Sequence, residues 1–359
     1  MNVKLISFIF FTFLLLFNSC NFYESKEELA ATSELIKYTG RVDFIDSANV
    51  KFSWSGVSIE TMFEGTSIAI KLIDGNNDYN VFIDGNLDTI LVTNQDSIYF
   101  IANNLQDTVH HIQINKRTEA SLGEAIFGGF IIDPGKSFLP QQVINKRKIE
   151  FIGDSFVAGF GIEGLSPDCS FDRSTENNYL AYGPVLARRF NADYFVEAIS
   201  GIGVVRNFGD TTTAIHAFPY YYEKTNIYDS VKWDFKNWIP DAVVIRLGRN
   251  DFWRKPFPTK SQFKKVYQKF ILKIRKEYPN TRIFCLGGPA NNSPQSEYIS
   301  QVVKHIEILD GDKKLHFINL NMELKLPEDF GCQKHPNIQG QKKIADFLEP
   351  IIRKKMMWN

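Results

Sequence analysis

The chain has 359 residues, with 41 Lys and Arg balanced by 41 Asp and Glu for a formal net charge of zero. At ~150 residues per domain the length suggests about two domains, and 44% hydrophobic with 23% charged residues is a globular mix able to bury a core without a disulfide framework or a structural metal. The charge balance argues against a nucleic-acid binder, and four cysteines with no CxxC pair beside six histidines argue against a zinc cluster.

At the N-terminus Lys4 precedes an apolar run from Leu5 to Phe17, the length of a signal-peptide core and short for a membrane span. The run ends in Asn18-Ser19-Cys20, which resembles a bacterial lipoprotein signal: cleavage before Cys20 would leave that cysteine to carry lipid. A plain secretory signal and an uncleaved anchor are the alternatives, and all three export the protein to the periplasm or cell surface. Residues 21–37 are polar and charged and are expected to form a tether after the 1–20 signal.

From Arg41 to Asp133 the pattern has a period of two. VKFSWSGVSIETMF, SIAIKLI, YNVFID, SIYFIA, TVHHIQINK and AIFGGFIID alternate between turn clusters, which predicts an antiparallel β-sandwich of the jelly-roll kind over 38–146. Asp84-Gly85 and Gly85-Asn86 are hairpin-turn candidates. His110 and His111 alternate on one strand, so one of them faces solvent.

Near residues 134–147, Pro134-Gly135, Pro140 and the basic NKRK stretch mark a linker, and the rhythm then changes. KIEFIGDS, YFVEAIS, DAVVIRLG, RIFCLGG and LHFINL read as strands. Helical patterns lie at GPVLARRF, 259–279, 296–309 and the C-terminus. Strands alternating with helices predict an α/β unit over 147–359 with a parallel sheet covered on both faces.

Ligands of such sheets bind beyond the carboxyl ends of the strands. Those ends carry Gly153-Asp154-Ser155, Ser200-Gly201-Ile202-Gly203 and Gly248-Arg249-Asn250-Asp251, and His335-Pro336-Asn337 precedes the last helix. A hydroxyl, a glycine backbone, an amide and an imidazole are the parts of a hydroxyl-nucleophile hydrolase, with Ser155 attacking, His335 accepting its proton and N–H donors holding the oxyanion. Gly203 is a spare donor. Asp154 and Asp251 are expected to be structural, since neighbours on an extended strand point apart. Arg249 has two readings, a salt bridge (the favoured one) and substrate contact; Trp253 is a sugar platform or buried packing. Trp233 and Trp238 read as packing, and the Tyr-rich insertion around His216 as one wall of a cleft. Cys285 reads as a buried thiol. A Cys169–Cys332 bridge would need an oxidising compartment and is not decided by sequence.

The four blocks, FIGDSFVAGFG, ISGIG, LGRND and GCQKHPN, resemble the SGNH (GDSL-type) hydrolases, which implies a three-layer sandwich with Ser155 and His335 catalytic and Ser155, Gly201 and Asn250 forming the oxyanion hole. With GVSIETMFEGTSIAIKL, YNVFIDG and HHIQINKRTEASLGEAIFGGFIID ahead of them, and CSFD with Thr175-Glu176 after the first block, the chain is similar to carbohydrate esterase family 2 over about residues 38–355. That resemblance implies an esterase removing O-acetyl groups from polysaccharides such as xylan or mannan, without metal or organic cofactor. The usual SGNH acid stands three residues before the histidine, and Cys332 occupies that place here. The family resemblance implies a Ser–His dyad whose imidazole is oriented by a backbone carbonyl. The rival readings are the same fold acting on an envelope glycan or short acyl ester, and a glycan-binding lipoprotein without turnover.

Overall fold

The structure is a computed structural model that describes residues 26–141, 146–289 and 293–359. Cys20 and the signal segment lie outside the described residues.

The N-terminal unit is two packed six-stranded antiparallel sheets. One runs 43–44, 50–52, 125–132, 68–73, 98–102, with 27–30 beside the 125–132 strand; the other runs 138–139, 58–65, 108–116, 78–83, 86–92, with 37–39 beside 58–65. Alternation produces this arrangement: Ile59, Phe63, Ile112, Ile114 and Val81 from one sheet meet Ile70, Leu72, Phe127 and Phe130 from the other, all buried. The hairpin turn at Asp84 (φ 51) and Gly85 (φ 80) has both central residues left-handed, as a tight turn matched to strand twist requires. His110 is buried against Asp84 while His111 is half-exposed.

The expected tether is corrected over residues 26–37. Glu27–Ala30 pairs with Gly129–Ile132, and Ala31 and Ile36 enter the core. The physical reason is an open sheet edge: the 50–52 strand covers the 125–132 strand only as far as Phe127, and the backbone groups beyond it need a partner. Glu27 and Glu28 stay exposed, which is why the segment looks like a solvated spacer.

The C-terminal unit has five parallel strands, β1 (Arg147–Gly153), β2 (Ala192–Ala198), β3 (Ala242–Arg246), β4 (Arg282–Gly287) and β5 (Leu315–Asn319), in the order β2-β1-β3-β4-β5. The first helix, α1 (Ser155–Ala158), is a single turn directly after β1. Helices α2 (Tyr182–Arg189) and α5 (Ile338–Met356) cover one face, packing Leu186, Ile344 and Leu348 on Phe151, Val244 and Phe284. On the other face α3 (Lys260–Glu277) and α4 (Gln295–Asp310) pack Phe263, Ile274, Ile299 and Val302 on Val243, Ile245 and Ile283. α3 begins with a full capping box between Thr259 and Gln262. The strand order reverses between β1 and β3, the switch point at which a crevice opens.

Arg41 of the sandwich is completely buried among groups of the second unit. Its guanidinium pairs with Glu150 of β1 at 2.9 Å and Glu197 of β2 at 3.0 Å, and donates to the carbonyl of Tyr222 at 2.6 Å. Burial raises both glutamates above the usual carboxylate range, against the pull of the single cation between them.

Candidate active site

β1 ends at Gly153, where an added Cβ would lie 2.5 Å from the carbonyl oxygen of Arg246, so only glycine lets β1 run this close to β3. Asp154 then caps α1, its carboxylate accepting from Phe156 N–H at 3.2 Å, and Ser155 is the first helical residue rather than the cap. Asp154 is buried and ion-paired with Arg246 at 2.5 Å. It therefore shapes the turn, as expected of a structural residue.

His335 reaches Ser155 across the crevice, its Nε2 2.8 Å from Ser155 Oγ. Its Nδ1 is 3.1 Å from the backbone carbonyl oxygen of Gln333, so an Nδ1–H donates there and leaves Nε2 as acceptor. Gln333 (φ 51) is left-handed, which turns its carbonyl back towards the ring two residues on. Phe156 and Phe160 flank the imidazole with centroids 5.7 and 4.5 Å away, and Phe171 stacks behind Phe160 at 4.3 Å. Desolvation dominates the histidine's titration and holds it below its ordinary value, with the Asp154 carboxylate opposing.

The vacant acid position has a structural explanation. Cys332 is bonded to Cys169, and Asp329 is buried elsewhere, accepting from Lys325 N–H at 2.8 Å and pairing with Lys343 at 2.7 Å. The segment before the histidine is further fixed by Cys332, Gln333 and Lys334 N–H donating to the carbonyls of Gly161, Cys169 and Pro167. Cys285 is a free, buried thiol.

The second and third blocks converge on the same point. Gly201 (φ 74) is left-handed, a conformation that suits glycine. Its carbonyl accepts from Phe208 N–H at 2.6 Å, while Asn250 Nδ2 donates to the Ile202 carbonyl at 2.8 Å. Asp251 is buried and collects three backbone donors from the same loop, Val204, Val205 and Arg206 at 2.8, 2.6 and 3.0 Å; burial still pushes its carboxyl up to about 6. Among the described residues, neither Ser155 N–H nor Gly201 N–H donates to a protein acceptor. Gly203 is excluded as the spare donor, because its N–H is engaged by Asn207 Oδ1 at 3.1 Å.

Two further expectations are settled. Arg249 is exposed and makes no ion pair among the described residues, so the favoured salt bridge is overturned: Asp154, the carboxylate whose charge reaches it, is already held by Arg246. Trp253 is 54% exposed, which excludes burial, and lies 4.1 Å from the ring of Phe208, itself exposed. Trp238 packs on Phe195 at 3.8 Å, and Trp233 lies edge-on to the same ring. In the insertion His216 stacks on Tyr220.

Sequence reasoning misses the groups that the sandwich sends into this region. Asn178 N–H donates to the Arg117 carbonyl at 2.8 Å, and its amide donates to the carbonyls of Val157 and Ala158 in α1. Glu119 accepts from Ser200 N–H. Only the acidic character of a loop between two strands signals the latter.

Known proteins share this arrangement. Residues 38–141 match the carbohydrate esterase 2 N-terminal family, and residues 151–343 match the GDSL-like lipase/acylhydrolase family. A cellulase/esterase of Acetivibrio thermocellus is 35% identical over 329 residues, 90% of this chain but 40% of that protein. An acetylxylan esterase/glucomannan deacetylase of Cellvibrio japonicus is 28% identical, with 86% of each chain covered. The structure of a family two carbohydrate esterase from Clostridium thermocellum in complex with cellohexaose superimposes with a TM-score of 0.84 at 35% identity, covering 90% of this chain and all of that one. A two-sheet sandwich of matching sequence, followed by the four-block hydrolase, places this chain in carbohydrate esterase family 2.

Proposed function

We propose that the chain is a carbohydrate O-acetylesterase acting on acetylated polysaccharides such as xylan or mannan. The observation that carries the reading is the 2.8 Å contact from His335 Nε2 to Ser155 Oγ, beside the unengaged N–H groups of Ser155 and Gly201 and an Asn250 amide that donates one of its two N–H bonds to the Ile202 carbonyl. Ser155 Oγ attacks the acetyl carbonyl carbon as His335 takes its proton. The Ser155 and Gly201 N–H groups and the Asn250 amide stabilise the tetrahedral oxyanion. The imidazolium then protonates the departing sugar oxygen, and the neutral ring activates a water that releases acetate from Ser155. Trp253 with Phe208 forms an exposed aromatic platform for a pyranose ring, and Arg249 offers its uncompensated charge and donors nearby. The cellohexaose bound by the Clostridium thermocellum relative supports a cleft that accommodates a β-linked chain.

The test is acetate release from acetylated xylan and glucomannan, with p-nitrophenyl acetate as the chromogenic substrate, by the chain from residue 21. Wild type should turn over all three. A wild-type rate no higher than that of Ser155→Ala would overturn the assignment.

We also propose that the protein is exported and held at the membrane by lipid on Cys20, a reading supported by the N-terminal sequence. Mass spectrometry of the mature N-terminus should find a diacylglyceryl-modified Cys20, and an unmodified soluble N-terminus would refute the anchor.

A further inference from the structure

The sandwich unit supplies one buried carboxylate to the second hydrolase block. Glu119 lies in the loop between the strands Thr108–Lys116 and Ala125–Ile132 and is 4% exposed. Its own position is fixed twice: its N–H donates to Glu176 Oε2 at 3.0 Å, and its carbonyl accepts from the buried Lys116 Nζ at 3.0 Å. Its side chain then crosses into the other unit, where Oε2 accepts from Ser200 N–H at 2.6 Å. Ser200 is the residue before Gly201.

This bond completes a three-sided hold on the oxyanion loop. Downstream, the Gly201 carbonyl is tied to Phe208 N–H and the Ile202 carbonyl to Asn250. Beyond that, Asp251 gathers residues 204–206. Upstream of Gly201, the Ser200 N–H is directed by Glu119. The Ser200–Gly201 peptide carries the Gly201 N–H, so its tilt follows from how Ser200 is held. Burial disfavours the charged form of this carboxylate, while the Ser200 N–H, the nearby Ser200 and Ser121 hydroxyls and the Lys116 charge oppose that shift. The site keeps it where a donor's direction matters.

We propose that Glu119 is a positioning residue for the esterase reaction, acting from the β-sandwich through Ser200 to aim the Gly201 N–H at the oxyanion. The inference rests on the reading of Gly201 as an oxyanion donor. The sandwich is thus part of the catalytic apparatus, and an acceptor at residue 119, not its charge, is what the loop requires.

The experiment compares Glu119→Ala, Glu119→Asp and Glu119→Gln with wild type and Ser155→Ala, using p-nitrophenyl acetate kinetics and inhibition by phenylboronic acid, whose tetrahedral Ser155 adduct places an oxygen in the same hole. Losing an oxyanion donor outright lowers turnover by ~10²–10³, so a misdirected one should lower kcat by about tenfold or more in the Ala and Asp variants. KM should stay within about twofold, and boronate affinity should fall by the factor lost from kcat/KM. Glu119→Gln, which keeps an acceptor at the same reach, should retain kcat within about threefold. In the Asn250→Ala background the loss from Glu119→Ala should shrink, because both act on one hole. Should Glu119→Ala fail to fold, the Asp and Gln variants decide alone: Asp impaired and Gln active supports the proposal. Folded Ala or Asp variants with wild-type kcat and boronate affinity overturn it, as does Gln losing as much as Ala. An inactive Ser155→Ala beside unimpaired Glu119 variants refutes this inference alone, whereas Ser155→Ala equal to wild type refutes the esterase reading itself.

Discussion

Removing the Cys169–Cys332 bridge tests how the histidine is held. The bridge closes a separation of 163 residues, for which loop-closure entropy alone gives about 5 kcal/mol of stabilisation. Three backbone bonds from residues 332–334 to the 161–169 loop remain when the sulfurs are separated, and engineered bridges deliver less than the entropy ceiling, so a loss of about 3 kcal/mol is expected. At an m-value of about 3 kcal/mol/M this moves the urea midpoint by about 1 M. The variant to use is Cys169→Ser with Cys332→Ser, which leaves no unpaired thiol at the site.

The same variant reports on catalysis. Cys332 immediately precedes Gln333, whose carbonyl orients the imidazole, and His335 lies three residues beyond the bridge. Misplacing a catalytic group by 1 Å can cost about 10²-fold, and the three surviving backbone bonds limit the drift, so kcat on p-nitrophenyl acetate should fall by about tenfold with KM unchanged. Urea unfolding and steady-state kinetics of the same preparation give both numbers. A variant with wild-type kcat would show that the backbone bonds alone set the histidine, and a wild-type midpoint would show that the bridge constrains nothing the fold does not already constrain.

Three other outcomes follow from the geometry. His335 must be neutral to act as a base and its pKa is lowered, so the acid limb of kcat/KM should fall below its ordinary value of 6.5. The stability it contributes is present above the unfolded-state value and is lost as pH falls through the lowered folded one; an acid limb centred above 6.5 would contradict the desolvated environment. Trp253→Ala should raise KM on acetylated oligosaccharides by about tenfold, the scale of a lost stacking contact of 1–2 kcal/mol, while sparing p-nitrophenyl acetate; equal effects on both substrates would place the tryptophan in the chemistry instead. Arg41→Ala leaves two glutamates buried without their cation and should lower stability by about 3–5 kcal/mol in urea unfolding, whereas a loss under about 1 kcal/mol would show that Glu150 and Glu197 are neutral without it.

The parts legible in the sequence are those set by local pattern. Period-two alternation marks the sandwich strands, the βα rhythm marks the parallel sheet, and the ends of β1, β2 and β3 together with His335 hold the site residues where strand-end chemistry puts them. The rest depends on contacts that no local periodicity encodes. Glu27–Ala30 looks like a spacer until the open edge beyond Phe127 is known. Gly203 stays a spare donor behind Gly201 until Asn207 is seen to engage its N–H. Arg249 reads as one side of a salt bridge until the buried Asp154 is seen to be taken by Arg246. Glu119 contacts Ser200 across 81 residues, and no periodicity within the loop encodes that.

A dyad can suffice here because the two tasks of a triad carboxylate are divided. An orienting acid fixes the tautomer and direction of the imidazole and stabilises the imidazolium, without itself taking a proton. Direction comes from the Gln333 carbonyl at Nδ1 and from the rings of Phe156 and Phe160 on either side. Charge is harder to replace, since a carbonyl dipole is a weaker partner than an anion. The ring of Phe160, its centroid 4.5 Å from that of the imidazole and tilted 46° to it, supplies part of it through the attraction of an aromatic ring for the imidazolium once that forms. Asp154 supplies more at longer range, and its own partner Arg246 offsets much of that field. The imidazolium is therefore stabilised less than in a triad, consistent with a histidine held below its ordinary value. Less stabilisation of the charged form makes His335 a weaker base towards Ser155 but a readier acid towards the leaving sugar oxygen. An alkoxide leaving group needs that proton more than an activated phenolate does. The division thus favours natural acetyl esters of sugars over p-nitrophenyl acetate in relative acylation rate, and comparing kcat/KM on the two substrates, which share one acetyl-Ser155 intermediate, checks it: a histidine tuned the other way would show the larger advantage on the phenolate.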